Sequence, residues 1–124
     1  IISNIRLKIK KGICDSMKEL FTNEKNFDID ADFCLRAKGD SMINARIMDG
    51  DIVFIRQQPE VEHGEIAAVA IDDEATLKRF YRDEKTGTIT LIAENPAYAP
   101  MVYDRSEAEN LWILGKAVAV QSKL

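Results

Sequence analysis

Short runs that alternate apolar and polar residues recur along this chain, each closed by a turn signal, and they leave little room for helix. Phe33, Leu35 and Ala37 face one way while Cys34, Arg36 and Lys38 face the other. That period of two writes a strand ending at Gly39. Asp49-Gly50-Asp51 is a turn signal ahead of Ile52-Val53-Phe54-Ile55, an apolar, β-branched run of the kind that forms a buried strand. Pro59 and Gly64 bracket a loop. Further strands are expected over 65–71, 75–82, 88–93, 101–103 and 111–120, the last interrupted at Gly115. Asp72-Asp73 and the stretch 83–87 are the hairpin turns between them. Residues 43–48 read as one helical turn or an irregular connection, and Asn95-Pro96-Ala97-Tyr98-Ala99-Pro100 as a rigid loop. About seven short strands at this spacing predict a mainly β domain, built as small packed sheets or a partly closed barrel.

The first 31 residues differ in pattern. Ile5, Leu7 and Ile9 alternate with Arg6, Lys8 and Lys10, which suits a strand or extended arm, and Gly12 breaks it. Ile13, Met17, Leu20 and Phe21 fall at helical spacing, and Ser16 with Glu19 forms a capping-box pattern. One short N-terminal helix near 15–22 follows, then a polar loop over 22–30. The expected division is an arm, helix and loop over 1–31 and the β domain over 32–124. A total of 124 residues suits one domain with a proper core. The chain starts at Ile1 rather than methionine, as a fragment or processed product would.

Charge and composition exclude several functions. A formal net charge of −4 argues against holding nucleic acid with this piece by itself, although Arg6, Lys8, Lys10 and Lys11 form a local basic patch. No apolar run is long enough for a membrane span, and no signal peptide opens the chain. Cys14 and Cys34 lack metal-ligand spacing, and His63 is the only histidine, so neither a zinc site nor a cofactor is expected. Two reduced thiols in a cytoplasmic protein are the expectation, with a disulfide as the alternative.

The candidate for chemistry is Ser41, in Lys38-Gly39-Asp40-Ser41-Met42, between a glycine-containing turn and a methionine. A serine hydroxyl is a poor nucleophile until a base removes its proton. His63 sits in a polar loop beside Glu62 and Gly64 and reads as a solvated residue, which weakens a serine–histidine–aspartate arrangement. Lys78 is the other base. On a strand it shares a face with Thr76 and Phe80, a hydroxyl and a ring that suit a buried amine. To work near neutrality its pKa must fall from about 10.4 by roughly 2–3 units, which burial achieves by disfavouring the charged form. Pattern alone also allows Lys78 to be an ordinary solvent-facing strand lysine. Backbone N–H groups in the Gly39-Asp40-Ser41-Met42 turn can supply an oxyanion hole, because a tight turn aims amides outward. The side chains of Asp40 and Asp51 read as structural acceptors in turns.

The motifs in series carry a resemblance. Gly39-Asp40-Ser41-Met42, Asp49-Gly50-Asp51-Ile52-Val53, Gly64-Glu65-Ile66-Ala67, Thr76-Leu77-Lys78-Arg79-Phe80, Leu91, Asn95-Pro96-Ala97-Tyr98 and Gly115 occur in this order. The chain resembles, over roughly 32–120, the C-terminal domain of LexA-like and phage CI-like repressors, which UmuD-type proteins share. The resemblance implies a serine–lysine autopeptidase with Ser41 as nucleophile, Lys78 as general base, the Asp40 and Ser41 amides as oxyanion donors, and Thr76 and Met42 in support. It implies no metal and no cofactor. It also implies a homodimer, an N-terminal helix-turn-helix that binds operator DNA, and cleavage stimulated by a RecA–single-stranded DNA filament in an SOS-type response, as in a chromosomal or prophage repressor.

Two departures accompany it. Ile43-Asn44-Ala45 stands where many relatives have proline soon after the serine motif. No Ala-Gly or Cys-Gly dipeptide, the usual scissile bond of such domains, occurs in the chain, so the bond precedes Ile1 or the segment has diverged near Gly12-Ile13-Cys14. The competing expectations are a dimerisation module that no longer cleaves and a UmuD-type subunit of a lesion-bypass polymerase. The strand over 111–120, with Trp112, is the candidate dimer surface, and core packing is the alternative.

Overall fold

The computed structural model describes residues 30–122. The arm over 1–11, the short helix near 15–22 and the cleavage-segment region lie outside those residues. Among the described residues the strands are β1 (Phe33–Arg36), β2 (Ile52–Gln57), β3 (Ile66–Ile71), β4 (Glu74–Arg82), β5 (Ile89–Ile92), β6 (Met101–Tyr103) and β7 (Leu111–Gln121). Single 3-10 turns occur at Ile43–Ala45 and Glu107–Asn110. The mainly β expectation is borne out strand by strand. All seven pair antiparallel in one open sheet of order β1-β2-β7-β3-β4-β5-β6, rather than in a closing barrel or separate packed sheets.

Local chemistry explains the hairpins. Ile71 pairs with Glu74, so Asp72 and Asp73 form a two-residue turn with φ of 47° and 65°. Two positive φ values are what a strand twist-matched turn needs, and aspartate tolerates them. β7 is the non-local element. It enters between β2 and β3, with a register shift against each. Gly115 does not interrupt it. That residue pairs with Gln57 on one side and Ala68 on the other. A Cβ there would stand 2.3 Å from the Arg56 carbonyl oxygen and 2.7 Å from Ile55 Cγ2, so only glycine fits the crossing.

Alternate residues of β2 enter different clusters, as a period of two requires. Val53 and Ile55 join Phe33, Leu35, Met42, Ile47 and Leu77, whereas Ile52 and Phe54 join Ala31 and Cys34. A third cluster gathers Phe80, Val69, Ile89 and Leu91. Cys34 is disulfide-bonded, which corrects the expectation of a reduced thiol there, and Cys14 lies outside the described residues. Among the described residues no helix is long and apolar enough to cross a membrane.

Candidate functional site

The Ser41 turn leaves β1 through Gly39, whose φ of 86° is left-handed and suits glycine. Met42 is buried in the first cluster and anchors the turn from below. The Asp49-Gly50-Asp51 turn closes over it. The Gly50 N–H donates to the Ala37 carbonyl at 2.8 Å, and the Gly39 N–H donates to Asp49 Oδ1 at 2.7 Å. Asp51 accepts the Met48 N–H and the Ser122 hydroxyl, each at 2.7 Å, so its structural reading holds.

Lys78 comes from the middle of β4, opposite Ala67 on β3. Its Nζ donates to Ser41 Oγ at 3.2 Å and to Thr76 Oγ1 at 2.8 Å. Ser41 is 2% exposed and Lys78 4%. The solvent-facing alternative for this lysine is therefore not what folds. Burial disfavours the ammonium and pushes its pKa down from 10.5 to about 8. An amine with that pKa, beside a hydroxyl, can take a proton from it near neutral pH. Beside Ser41, the residues Ala37, Lys38, Gly39, Met42, Ile47 and Leu77 line a narrow cleft with a cavity volume of about 10 Å³.

His63 is not part of this arrangement. It is exposed, with Nε2 2.7 Å from the Arg82 carbonyl oxygen and its ring edge-on to Tyr81 at 5.5 Å. Among the described residues no cluster of His, Cys, Asp or Glu could hold a metal ion.

Reading the sequence missed a second group of contacts. The Asn95-Pro96-Ala97-Tyr98 loop does more than stiffen a connection: Asn95 Nδ2 donates to the Asp40 carbonyl at 2.9 Å, and the Tyr98 hydroxyl donates to Asp40 Oδ1. The loop is itself tied down. Glu94 pairs with Arg79 at 2.6 Å, its carbonyl accepts the Asn44 N–H at 2.9 Å, and its N–H faces Met42 Sδ at 3.4 Å. The signal was present as a motif, but spacing along the chain does not say which turn a loop will touch.

A family model described as peptidase S24-like matches residues 6–118. The chain belongs to that family, and the LexA-like resemblance of its motifs is borne out. Among similar curated proteins, LexA repressor 2 of Geobacter sulfurreducens is 36% identical over 124 residues, covering 100% of this chain and 60% of that protein. The LexA repressor of a Nocardioides species is 51% identical over 88 residues, covering 71% of this chain and 33% of that protein. The LexA repressor of Geobacter metallireducens is 47% identical over 88 residues, covering 71% of this chain and 42% of that protein. The chain thus matches less than two thirds of the length of each of these relatives.

Proposed function

We propose that this chain is the regulatory, self-cleaving domain of a repressor, with Ser41 and Lys78 as its catalytic pair. The observation that carries the reading is the 3.2 Å hydrogen bond between the two buried side chains. Neutral Lys78 takes the Ser41 proton while Oγ attacks the carbonyl carbon of a peptide bond in the protein's own chain. The N–H groups of Asp40 and Ser41 hold the oxyanion. The lysine ammonium then gives its proton to the leaving amine, and an ester to Ser41 remains. Lys78, neutral again, deprotonates a water that cleaves the ester, releasing a carboxylate and restoring the serine. The Thr76 hydroxyl keeps the amine aimed at Oγ. The narrow cleft beside Ser41 suits a small residue before the scissile bond.

The rest of the repressor reading rests on the family and on relatives named LexA repressor. In it, an N-terminal helix-turn-helix reads operator DNA, this domain joins two such heads as a homodimer, and a RecA–single-stranded DNA filament in the cytoplasm stimulates cleavage. Support for the dimer surface is that Trp112 and Val120 on β7 are 62% and 37% exposed, rather than core. Tryptophan is enriched at protein interfaces, which supports Trp112 as part of one. Sedimentation should give a dimer for the domain and a lighter species for Trp112→Glu. A wild-type monomer at high concentration would remove the dimer.

The domain division into 1–31 and 32–124 belongs to the same proposal, with the first part as the cleavage segment. The competing reading is a dimerisation module that no longer cleaves. A pH series on the full-length protein separates the two. Only neutral Lys78 is a base, and its pKa is about 8. The rate of fragmentation should rise about tenfold per pH unit below about pH 8 and level off above it. An intact band at every pH would leave the non-cleaving module standing, and a rate indifferent to pH would remove Lys78 as the base.

A further inference from the structure

The N–H groups around Ser41 can hold an oxyanion only if the turn keeps them pointed at it. A trans peptide is planar, with its C=O and N–H on opposite sides. Whatever grips the Asp40 carbonyl therefore sets the direction of the Ser41 N–H. Within the turn that carbonyl has only a weak partner, the Ile43 N–H at 3.4 Å. Gly39 next door lacks a Cβ, so rotation of the neighbouring peptide is opposed little by the turn itself.

The stronger grip comes from outside. Asn95 Nδ2 donates to the Asp40 carbonyl at 2.9 Å. Asn95 is held in that orientation because its Oδ1 accepts the Ala97 N–H at 2.9 Å, which assigns the amide its donor side. The Tyr98 hydroxyl binds the carboxylate of the same Asp40, and the Tyr98 N–H donates to the Asn95 carbonyl at 3.0 Å. Arg79, adjacent to Lys78 on β4, anchors the base of this loop through Glu94. One strand thus supplies the amine and also fixes the loop that grips the serine turn.

We propose that Asn95, braced by Tyr98 across Asp40, is a positioning residue that locks the Asp40–Ser41 peptide plane and so aims the Ser41 N–H at the oxyanion. The inference rests on the serine–lysine reading above. The grip also survives the conditions that reaction needs. The hydrogen bond to the Asp40 carboxylate, with a smaller contribution from burial, raises the Tyr98 pKa above its usual value of 10.0. Tyr98 therefore remains a donor over the range in which Lys78 loses its proton.

The test is the pH–rate profile of self-cleavage in the full-length protein, with thermal unfolding measured in parallel. Asn95→Asp keeps the size of the side chain and the acceptor for Ala97, and loses the donor to Asp40. Asn95→Ala removes both without adding charge. Each should lower the alkaline plateau about 10²-fold, the scale of losing one oxyanion donor, with the unfolding midpoint little changed. In Asn95→Ala the pH of half-maximal rate should stay where it is in the wild type, because Lys78 is untouched. Tyr98→Phe should lower the plateau about threefold to tenfold. Plateaus within about twofold of wild type for both Asn95 variants would overturn the inference and leave the dyad intact. A rate loss that only follows loss of folded protein would overturn it too. A wild type that never cleaves would instead remove the serine–lysine reading and this inference with it.

Discussion

Ser41→Ala, Lys78→Ala and Lys78→Arg should each stop self-cleavage of the full-length protein, lowering the plateau rate by about 10⁴-fold or more. The expectation follows from how the two groups depend on each other. Without Oγ there is no nucleophile. Without a neutral amine 3.2 Å away, Oγ keeps its proton and stays inert. Because they act as one unit, the double variant Ser41→Ala/Lys78→Ala should be no slower than either single variant. Lys78→Arg is the informative member of the set. It retains a long cationic side chain, but a guanidinium does not lose its proton in a protein, so it cannot serve as base at any accessible pH. Fragment yield against time at pH 10, on gels or by mass spectrometry, reads all four variants. Cleavage by Lys78→Arg at anything near the wild-type rate would show that the lysine is not the base.

The same lysine should make the protein less stable than it need be. Its folded-state pKa of about 8 lies below the unfolded value of 10.5, so the unfolded chain binds the proton more tightly. Below pH 8 the folded state therefore carries the full penalty, about 3 kcal/mol from a gap of about 2.5 units. The penalty is relieved as pH rises from about 8 to about 10.5. Lys78→Met keeps much of the volume and removes the charge. Where Ser41 is already alanine, it also forfeits one hydrogen bond, to Thr76, worth about 1 kcal/mol. In a Ser41→Ala background, which prevents cleavage during the measurement, Lys78→Met should be about 1–3 kcal/mol more stable near pH 7. That difference should fall by about 3 kcal/mol by about pH 10.5, leaving Lys78→Met the less stable by about the lost hydrogen bond. Urea unfolding of both proteins at pH 7, 9 and 10.5 gives the difference directly, because other groups titrate alike in the two. A constant difference across that range would mean that Lys78 titrates normally.

These two outcomes describe one compromise. A buried amine costs folding free energy near neutral pH, and the same desolvation makes it a base. Asp49, Asn95 and Tyr98 hold the rim of the site by hydrogen bonds, on the side where Asp40 is exposed.

Much of this was legible in the order of residues. The alternation of Phe33, Leu35 and Ala37 with Cys34, Arg36 and Lys38, the Asp72-Asp73 turn and the apolar run at 52–55 are local patterns, and local patterns write strands and hairpins. The motifs around Ser41 and Lys78 were legible for the same reason. The single open sheet was not, since β7 slots between β2 and β3 although Leu111 lies far along the chain from Gln57, a choice made by long-range packing. Nor was the fate of Cys34 in its disulfide. The sequence by itself determined which segments extend, where they turn, and which serine and lysine were worth pairing. Only the tertiary structure decided that Lys78 is buried against Ser41, 37 residues away, and that Asn95 and Tyr98 reach back 55 and 58 residues to Asp40. The physical reason is that burial and hydrogen-bond partners depend on which strands pack side by side, and the spacing within any one strand carries no record of that.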